Sequence, residues 1–100
     1  MGTTSTARSQ KRRTALVLLA TYNEADNIKK MIDQLFGLKL EGQGWQMSIL
    51  VRDDKSPDGT GEIVRQLMKK YKSRLLLSQG NKEGLGKALQ HAFDEALSLD

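Results

Sequence analysis

Three short apolar runs alternate with three amphipathic stretches, and this alternation constrains the fold more than any other feature of the chain. The apolar runs predict strands at residues 15–20, 47–53 and 74–78. Apolar side chains spaced three and four residues apart predict a helix after each strand, at residues 28–36, 63–71 and 85–97. Such alternation is typical of a parallel sheet with helices packed on its faces. The sequence therefore predicts an α/β fold with the order β-α-β-α-β-α.

The positive charge of the chain is concentrated at its N-terminus. Residues 1–13 hold four basic side chains and no acid, while the other 87 residues hold twelve of each sign. A nucleic-acid-binding domain carries its basic charge on the folded body, so this distribution argues against a nucleic-acid partner. Residues 1–14 are predicted to form a disordered basic tail, with weak attraction to anionic lipid as the alternative. Residues 15–100 are predicted to form one domain or part of one.

Composition excludes several other classes of protein. The chain has no cysteine, which rules out disulfide bonds and thiolate chemistry. Its longest apolar runs are too short to span a bilayer, and its first residues lack the apolar segment of a secretory signal.

Two adjacent carboxylates, Asp53 and Asp54, end the second apolar run. Open α/β sheets bind their ligands at the carboxyl ends of the strands. A tight turn follows at residues 56–59, where Pro57 presets φ and Gly59 avoids a Cβ clash. Three uses of the carboxylates remain open. They could cap the turn or the second helix, accept hydrogen bonds from a nucleobase or ribose, or join further oxygen ligands around a metal.

A second polar cluster, with Thr21, Tyr22 and Glu24, follows the first strand at the same edge of the predicted sheet. Thr21 and Glu24 fit a capping box, in which the two side chains satisfy amides at the start of the first helix. The alternative is that the cluster faces a ligand beside Asp53 and Asp54.

Gly84 and Gly86 precede Lys87 at the start of the third predicted helix. The spacing fits neither a Walker loop nor a dinucleotide-binding fingerprint. What remains is a glycine-rich helix entry, which could admit a phosphate or sugar near backbone amides or serve only for close packing.

In this order, the segments at 21–24, 53–60 and 84–88 resemble the N-terminal part of family 2 glycosyltransferases, in particular the dolichyl- or polyprenyl-phosphate mannose synthases. The Ser-Pro-Asp-Gly-Thr sequence at 56–60 is the most specific of these segments. The resemblance covers residues 15–97.

The resemblance implies a Rossmann-like GT-A fold, of which this chain would be the nucleotide-binding half with an incomplete sheet of three parallel strands. It implies that the complete enzyme transfers mannose from GDP-mannose, a nucleotide-sugar, to a polyprenyl-phosphate lipid. Such an enzyme is cytoplasmic and peripheral to the endoplasmic reticulum in a eukaryote or to the plasma membrane in a prokaryote. By similarity, the nucleotide-binding residues are Thr21, Tyr22, Glu24, Asp53 and Asp54, with Asp54 the more direct contact, while Gly84 and Gly86 lie near the nucleotide-sugar.

The chain also departs from the family pattern. Ala20 stands where the family usually has proline, and Lys55 stands where it has asparagine or glycine. The family's Asp-x-Asp metal motif follows a further strand, so the Mg²⁺ or Mn²⁺ expected for the complete enzyme has no recognised ligand in these 100 residues, and no catalytic base can be named. We therefore expect the 100-residue chain to be inactive alone. We also expect the first strand to be a sheet edge and the chain to self-associate through it.

Two alternatives to a glycosyltransferase remain open. One is a non-catalytic module that binds a nucleotide or nucleotide-sugar without a metal site. The other is a flavodoxin-like or receiver-type α/β domain, which also clusters acids at strand ends but would be expected to have an acid after the first strand.

Overall fold

A computed structural model describes residues 13–38, 40–80 and 82–98. The three strands are β1 (Arg13–Thr21), β2 (Trp45–Asp53) and β3 (Leu75–Gln79), and the three helices are α1 (Ile28–Phe36), α2 (Thr60–Tyr71) and α3 (Lys82–Ser98). Short 3₁₀ helices at Leu40–Gln43 and Lys72–Arg74 lead into β2 and β3. The element order confirms the alternation predicted from the apolar pattern.

The strands form one parallel sheet in the order β1-β2-β3. Within the described part of the chain, β2 is therefore central and β1 and β3 are the edges. Because the strands are parallel, their C-terminal ends lie along one end of the sheet, which we call the carboxyl edge. The prediction that β1 lies at a sheet edge is confirmed for this arrangement.

The main core lies between one sheet face and the helices α1 and α2. The buried apolar side chains of β2 on this face are Met47, Ile49 and Val51, which alternate with residues pointing the other way. The helices and β3 contribute the remaining buried members of the cluster: Ile28, Ile32, Val64, Leu67 and Leu75. Helix α3 contacts all three strands and buries its small residues Ala92 and Ala96 outside this cluster. It therefore covers the opposite face, where Leu50 is buried.

Strand β1 begins two residues earlier than the apolar pattern predicts. Arg13 pairs in register with Trp45, its amide donates to the Gly44 carbonyl at 2.9 Å, and its guanidinium lies 5.7 Å from the centre of the Trp45 ring. Cross-strand pairing thus extends β1 beyond its apolar run and brings the last two residues of the predicted tail, 13 and 14, into the sheet. Residues 1–12 of that tail lie outside the described residues.

Two helix starts differ from the sequence expectation. The N-cap of α1 is Asn27 rather than Thr21, and no side chain caps it, so the capping box, one of the two alternatives for Thr21 and Glu24, is not formed. Helix α3 begins at Lys82, so Gly84 and Gly86 lie in its first two turns instead of in a turn before it. A Cβ at Gly86 would meet no atom within 4 Å, which shows that no close approach requires a glycine at that position. No helix in the described part of the chain is long and apolar enough to cross a membrane.

Candidate functional site

The last residues of the three strands form a hydrogen-bonded row at the carboxyl edge. The strand register places Asp53 between Thr21 and Gln79. The Thr21 hydroxyl donates to Asp53 Oδ1 at 2.8 Å, and Gln79 Nε2 donates to Asp53 Oδ2 at 3.0 Å. The row therefore joins all three strands at the edge where ligands of α/β sheets bind.

The Asp53 carboxylate is fully buried and its acceptor capacity is filled by protein groups. In addition to the row, the Ser56 amide donates to Oδ2 at 2.9 Å and the Ser56 hydroxyl to Oδ1 at 2.6 Å, so each oxygen accepts two hydrogen bonds. Burial by itself raises the pKa of Asp53, but the hydrogen bonds from Ser56, Gln79 and Thr21 outweigh it and hold the pKa below its usual value. Asp53 thus caps the turn that follows β2, which was one of the uses left open by the sequence.

Gln79 is held in the row from its other side by α2. Its Oε1 accepts from the Arg65 guanidinium at 2.6 Å, and Arg65 also pairs with Glu62 at 3.0 Å. A Cβ at Gly61 would lie 2.4 Å from Gln79 Nε2. The glycine at position 61 therefore leaves the space that the Gln79 side chain occupies. Sequence reasoning missed Gln79, although its place at the end of a strand beside Asp53 was a signal for it.

The loop after β1 (residues 22–27, the first loop) is attached to the loop after β2 (residues 54–59, the second loop) and to the start of α2. Three consecutive amides of the first loop donate to these side chains: Asn23 N to Ser56 Oγ at 2.8 Å, Glu24 N to Thr60 Oγ1 at 3.0 Å, and Ala25 N to Asp58 Oδ2 at 3.0 Å. The Ser-Pro-Asp-Gly-Thr sequence thus binds backbone of a neighbouring loop, a role that the sequence did not reveal.

The second loop has the tight geometry that its sequence predicts. Gly59 has φ 92°, a left-handed conformation that glycine adopts without steric cost. Asp58 Oδ1 accepts from the Thr60 amide at 3.1 Å, which is an Asx-turn at the helix start. The hydrogen bond from the Thr60 hydroxyl is the largest cause that lowers the pKa of Asp58.

Tyr22 and Asp54 are the predicted nucleotide-binding residues that face solvent. The Tyr22 side chain is 56% exposed and Asp54 is exposed. The Asp54 amide donates to the Thr21 carbonyl at 3.1 Å. Tyr22 and Asp54 are thus the first residues after β1 and β2, and they lie beside each other at the ends of these paired strands. Glu24 is half-buried, whereas Thr21 and Asp53 are buried and bonded to each other. A role for all five in nucleotide binding stays a prediction.

Arg52, near the end of β2, binds the end of β3 and the residue that follows it. Its guanidinium donates to the Ser78 hydroxyl at 2.6 Å and to the Gly80 carbonyl at 2.7 Å. These bonds fix the end of β3 against the end of β2, and α3 starts from that point. Gly84 and Gly86 therefore lie near the carboxyl edge, and their nearness to a nucleotide-sugar stays a prediction.

The residues of the described ranges do not fit a divalent cation. Among them, no three histidine or acidic side chains converge, and the buried Asp53 carboxylate already accepts four hydrogen bonds from protein donors. A Mg²⁺ or Mn²⁺ site needs several free oxygen ligands, and the described residues do not bring such a set together.

Comparison with protein families matches residues 16–98 to a profile described as glycosyl transferase family 2. The chain is 32% identical over 80 residues to a dolichol-phosphate mannosyltransferase of Pyrococcus furiosus, covering 80% of this chain and 22% of the relative. It is 35% identical over 83 residues to a polyprenol monophosphomannose synthase of Mycolicibacterium smegmatis, covering 82% of this chain and 29% of the relative. The chain thus spans less than a third of the length of these two relatives.

A solved structure is similar to the same part of the chain. It is a mannosyltransferase from Pyrobaculum calidifontis in complex with GDP-Man and Mn²⁺, with a TM-score of 0.55 and 28% sequence identity over 84% of this chain and 26% of that one. The predicted fold class is confirmed: the three parallel strands and three helices form part of a GT-A fold with an incomplete sheet.

Proposed function

The chain belongs to glycosyl transferase family 2, and from this premise we propose that it binds the nucleotide of GDP-mannose in an enzyme that mannosylates a polyprenyl phosphate. The names of two relatives and the GDP-Man bound to the similar structure support this choice of donor and acceptor. The proposal assigns the nucleotide to the residues described here and the transfer reaction to the complete enzyme. It includes a lipid acceptor at a membrane surface and a divalent cation, Mg²⁺ or Mn²⁺, held by other residues of that enzyme.

The observation that carries the proposal is the exposure of Tyr22 and Asp54 side by side on two loops that are fixed to each other. Guanine presents two neighbouring donors, N1–H and the N2 amino group, and the Asp54 carboxylate can accept from both in a charge-assisted pair. Uracil presents one N–H between two carbonyl oxygens, which a carboxylate repels. The Tyr22 ring adds an aromatic surface against which a base can stack.

The other predicted residues act around this contact. Glu24 extends from the first loop and is proposed to accept from the ribose hydroxyls. Thr21 and Asp53 are proposed to support both loops from below, since their polar atoms bond to each other. The first turns of α3, with Gly84 and Gly86, are proposed to lie along the diphosphate and the sugar, where the positive end of the helix dipole attracts negative charge.

Calorimetric titration of the chain with GDP, UDP and ADP tests the nucleotide site. We expect GDP to bind most tightly, and Asp54→Asn to weaken GDP binding by about 1–3 kcal/mol because a hydrogen bond to a charged acceptor is lost. Asp94→Asn is the matched control, because Asp94 is exposed on α3 and accepts from Gln90 one turn away. Unchanged GDP affinity in a folded Asp54→Asn variant would contradict the assignment.

Mannosyl transfer is tested separately. We expect the purified 100-residue chain to give no transfer from GDP-mannose to a polyprenyl phosphate with Mg²⁺ or Mn²⁺, because its described residues do not fit a cation and supply no identified base. Metal-dependent turnover by this chain would overturn that expectation. A longer form that binds GDP tightly and never transfers mannose would favour the non-catalytic binding module.

A further inference from the structure

Two hydroxyl groups in the second loop and at the start of α2 each connect a carboxylate to a backbone amide. The Ser56 hydroxyl donates to Asp53 Oδ1 and accepts from the Asn23 amide. The Thr60 hydroxyl donates to Asp58 Oδ1 and accepts from the Glu24 amide. A hydroxyl has one hydrogen to donate. When it donates that hydrogen bond to a carboxylate, the lone pairs of the hydroxyl oxygen stay available to accept from the amide. The two carboxylates therefore orient the hydroxyl groups, so that each hydroxyl oxygen accepts from an amide of the first loop.

Asp58 also acts directly on the first loop. Its Oδ2 accepts from the Ala25 amide at 3.0 Å, while its Oδ1 accepts from the amide and hydroxyl of Thr60. Three consecutive amides of the first loop are thus held by an alternation of serine, aspartate and threonine, at positions 56, 58 and 60. We call this arrangement the amide bridge.

The amide bridge holds a segment that has no regular structure of its own. Residues 22–24 lie between the end of β1 and the turn before α1, and Asn23 has φ 55°, a conformation that is uncommon for a residue with a side chain. Tyr22 and Glu24, the two side chains proposed to contact the nucleotide, flank Asn23. Their placement therefore depends on the amides between and beside them.

From this geometry we propose that Ser56, Asp58 and Thr60 are positioning residues, which fix the first loop so that Tyr22 and Glu24 meet the nucleotide. They act through the three amides and not by touching the ligand. This inference rests on the proposed nucleotide site, and it names the contacts that hold the first loop of that site in place. It also explains why the segment needs a hydroxyl, a carboxylate and a hydroxyl at alternate positions.

Thr60→Val and Thr60→Ser form the decisive pair of variants. Valine keeps the shape of the fully buried Thr60 side chain and removes its hydroxyl, whereas serine keeps the hydroxyl. In amide hydrogen exchange measured by NMR, we expect Thr60→Val to speed exchange of the Glu24 amide at least tenfold relative to the Val64 amide in the middle of α2. We expect GDP affinity to fall about tenfold, which corresponds to 1.4 kcal/mol. Thr60→Ser should keep both values near those of the wild type.

Ser56→Ala supplies an independent readout, since it should speed exchange at Asn23 and leave Glu24 less affected. Unchanged exchange at the targeted amides would overturn the amide bridge. Faster exchange with unchanged GDP affinity would overturn the positioning role while leaving the nucleotide site intact. A wild-type chain that binds no GDP would overturn the proposed function and the positioning role together, and the exchange rates would still decide whether the bridge exists.

Discussion

Asp53 and Asp54 are neighbours in the sequence with opposite environments. Asp53 is fully buried and accepts four hydrogen bonds from protein groups, whereas Asp54 is exposed at the carboxyl edge. Successive side chains of a strand point to opposite faces, so the end of β2 separates the two charges. The buried carboxylate organises the second loop, whereas the carboxylate of Asp54 stays exposed, as its proposed contact with a nucleotide requires.

Asp53→Asn should destabilise the fold by about 2 kcal/mol at neutral pH. The NH₂ group of asparagine would point at donors that give hydrogen bonds to the carboxylate in the wild type. The folded-state pKa of Asp53 lies below the ordinary value of 3.8. Its ionised form therefore stabilises the fold above about pH 4, and that stabilisation is lost as the pH falls through the folded-state pKa. Urea unfolding of both proteins at several pH values should show a difference that narrows in acid.

The exposed Asp54 offers the matched control for this measurement. Asp54→Asn should change the free energy of unfolding by less than about 0.5 kcal/mol, as is usual for surface substitutions. Comparison with the wild type at each pH removes the shared acid sensitivity of Asp33 and Asp58, whose pKa values are also lowered. A difference between Asp53→Asn and wild type that stays constant down to pH 3 would contradict the assigned ionisation of Asp53.

At the scale of single elements, the contact between α2 and β3 depends on one missing side chain. Gly61 lies in the first turn of α2, and a Cβ there would overlap Gln79 Nε2 at 2.4 Å. Gln79 cannot move away freely, because it is bonded to both Asp53 and Arg65. The glycine therefore permits a close approach of helix and strand that completes the hydrogen-bonded row.

Gly61→Ala and Gly86→Ala should have opposite effects on stability. Alanine at Gly86 meets open space and should stabilise α3 by about 0.4–1 kcal/mol through its higher helix propensity. Alanine at Gly61 should instead destabilise the protein by about 1–2 kcal/mol, since it displaces Gln79. Thermal or urea unfolding measures both. In a Gln79→Ala background the penalty of Gly61→Ala should disappear, and a penalty that persists there would point to another cause.

The order of strands and helices is readable from this sequence, whereas their ends and contacts are not. Apolar periodicity depends on local sequence, so the three strands and three helices were predicted in their observed order. The start of β1 depends on the pairing of Arg13 with Trp45. The local sequence around Arg13 does not reveal this pairing with a distant strand. The same applies to Gln79 and to the amide bridge, which join residues about 26 to 36 positions apart.

The sequence pointed to the exposed residues of the candidate site, whose role in binding stays a prediction, but not to the contacts that hold them in place. Charge at a strand end indicated Asp54, and the resemblance to glycosyltransferases indicated Tyr22. The segment at 56–60 was interpreted as a tight turn and as a mark of the family resemblance, because nothing local shows that its side chains bind amides of another loop. Thr21 fitted a capping pattern in sequence, but strand pairing takes its hydroxyl to Asp53 instead.

At the scale of the whole molecule, β1 is a long and apolar sheet edge. Among the described residues it pairs with β2 alone, so the other side of its backbone offers unpaired donors and acceptors. Leu18 on this strand is 48% exposed, and an apolar groove beside the strand is lined by Leu19 and by Met31, Leu35 and Leu38 of the α1 region. Edges of this kind favour pairing with another strand.

We therefore predict that the purified 100-residue chain self-associates through β1 and that Leu18→Lys shifts it toward monomer, because a charged side chain at an edge opposes strand pairing. Leu97→Lys is the control, since Leu97 is more exposed, at 62%, and lies on α3 instead of on the edge. Sedimentation velocity of the three proteins at matched concentrations measures the effect. A monomeric wild type, or equal loss of association in both variants, would show that the open edge of β1 does not drive assembly.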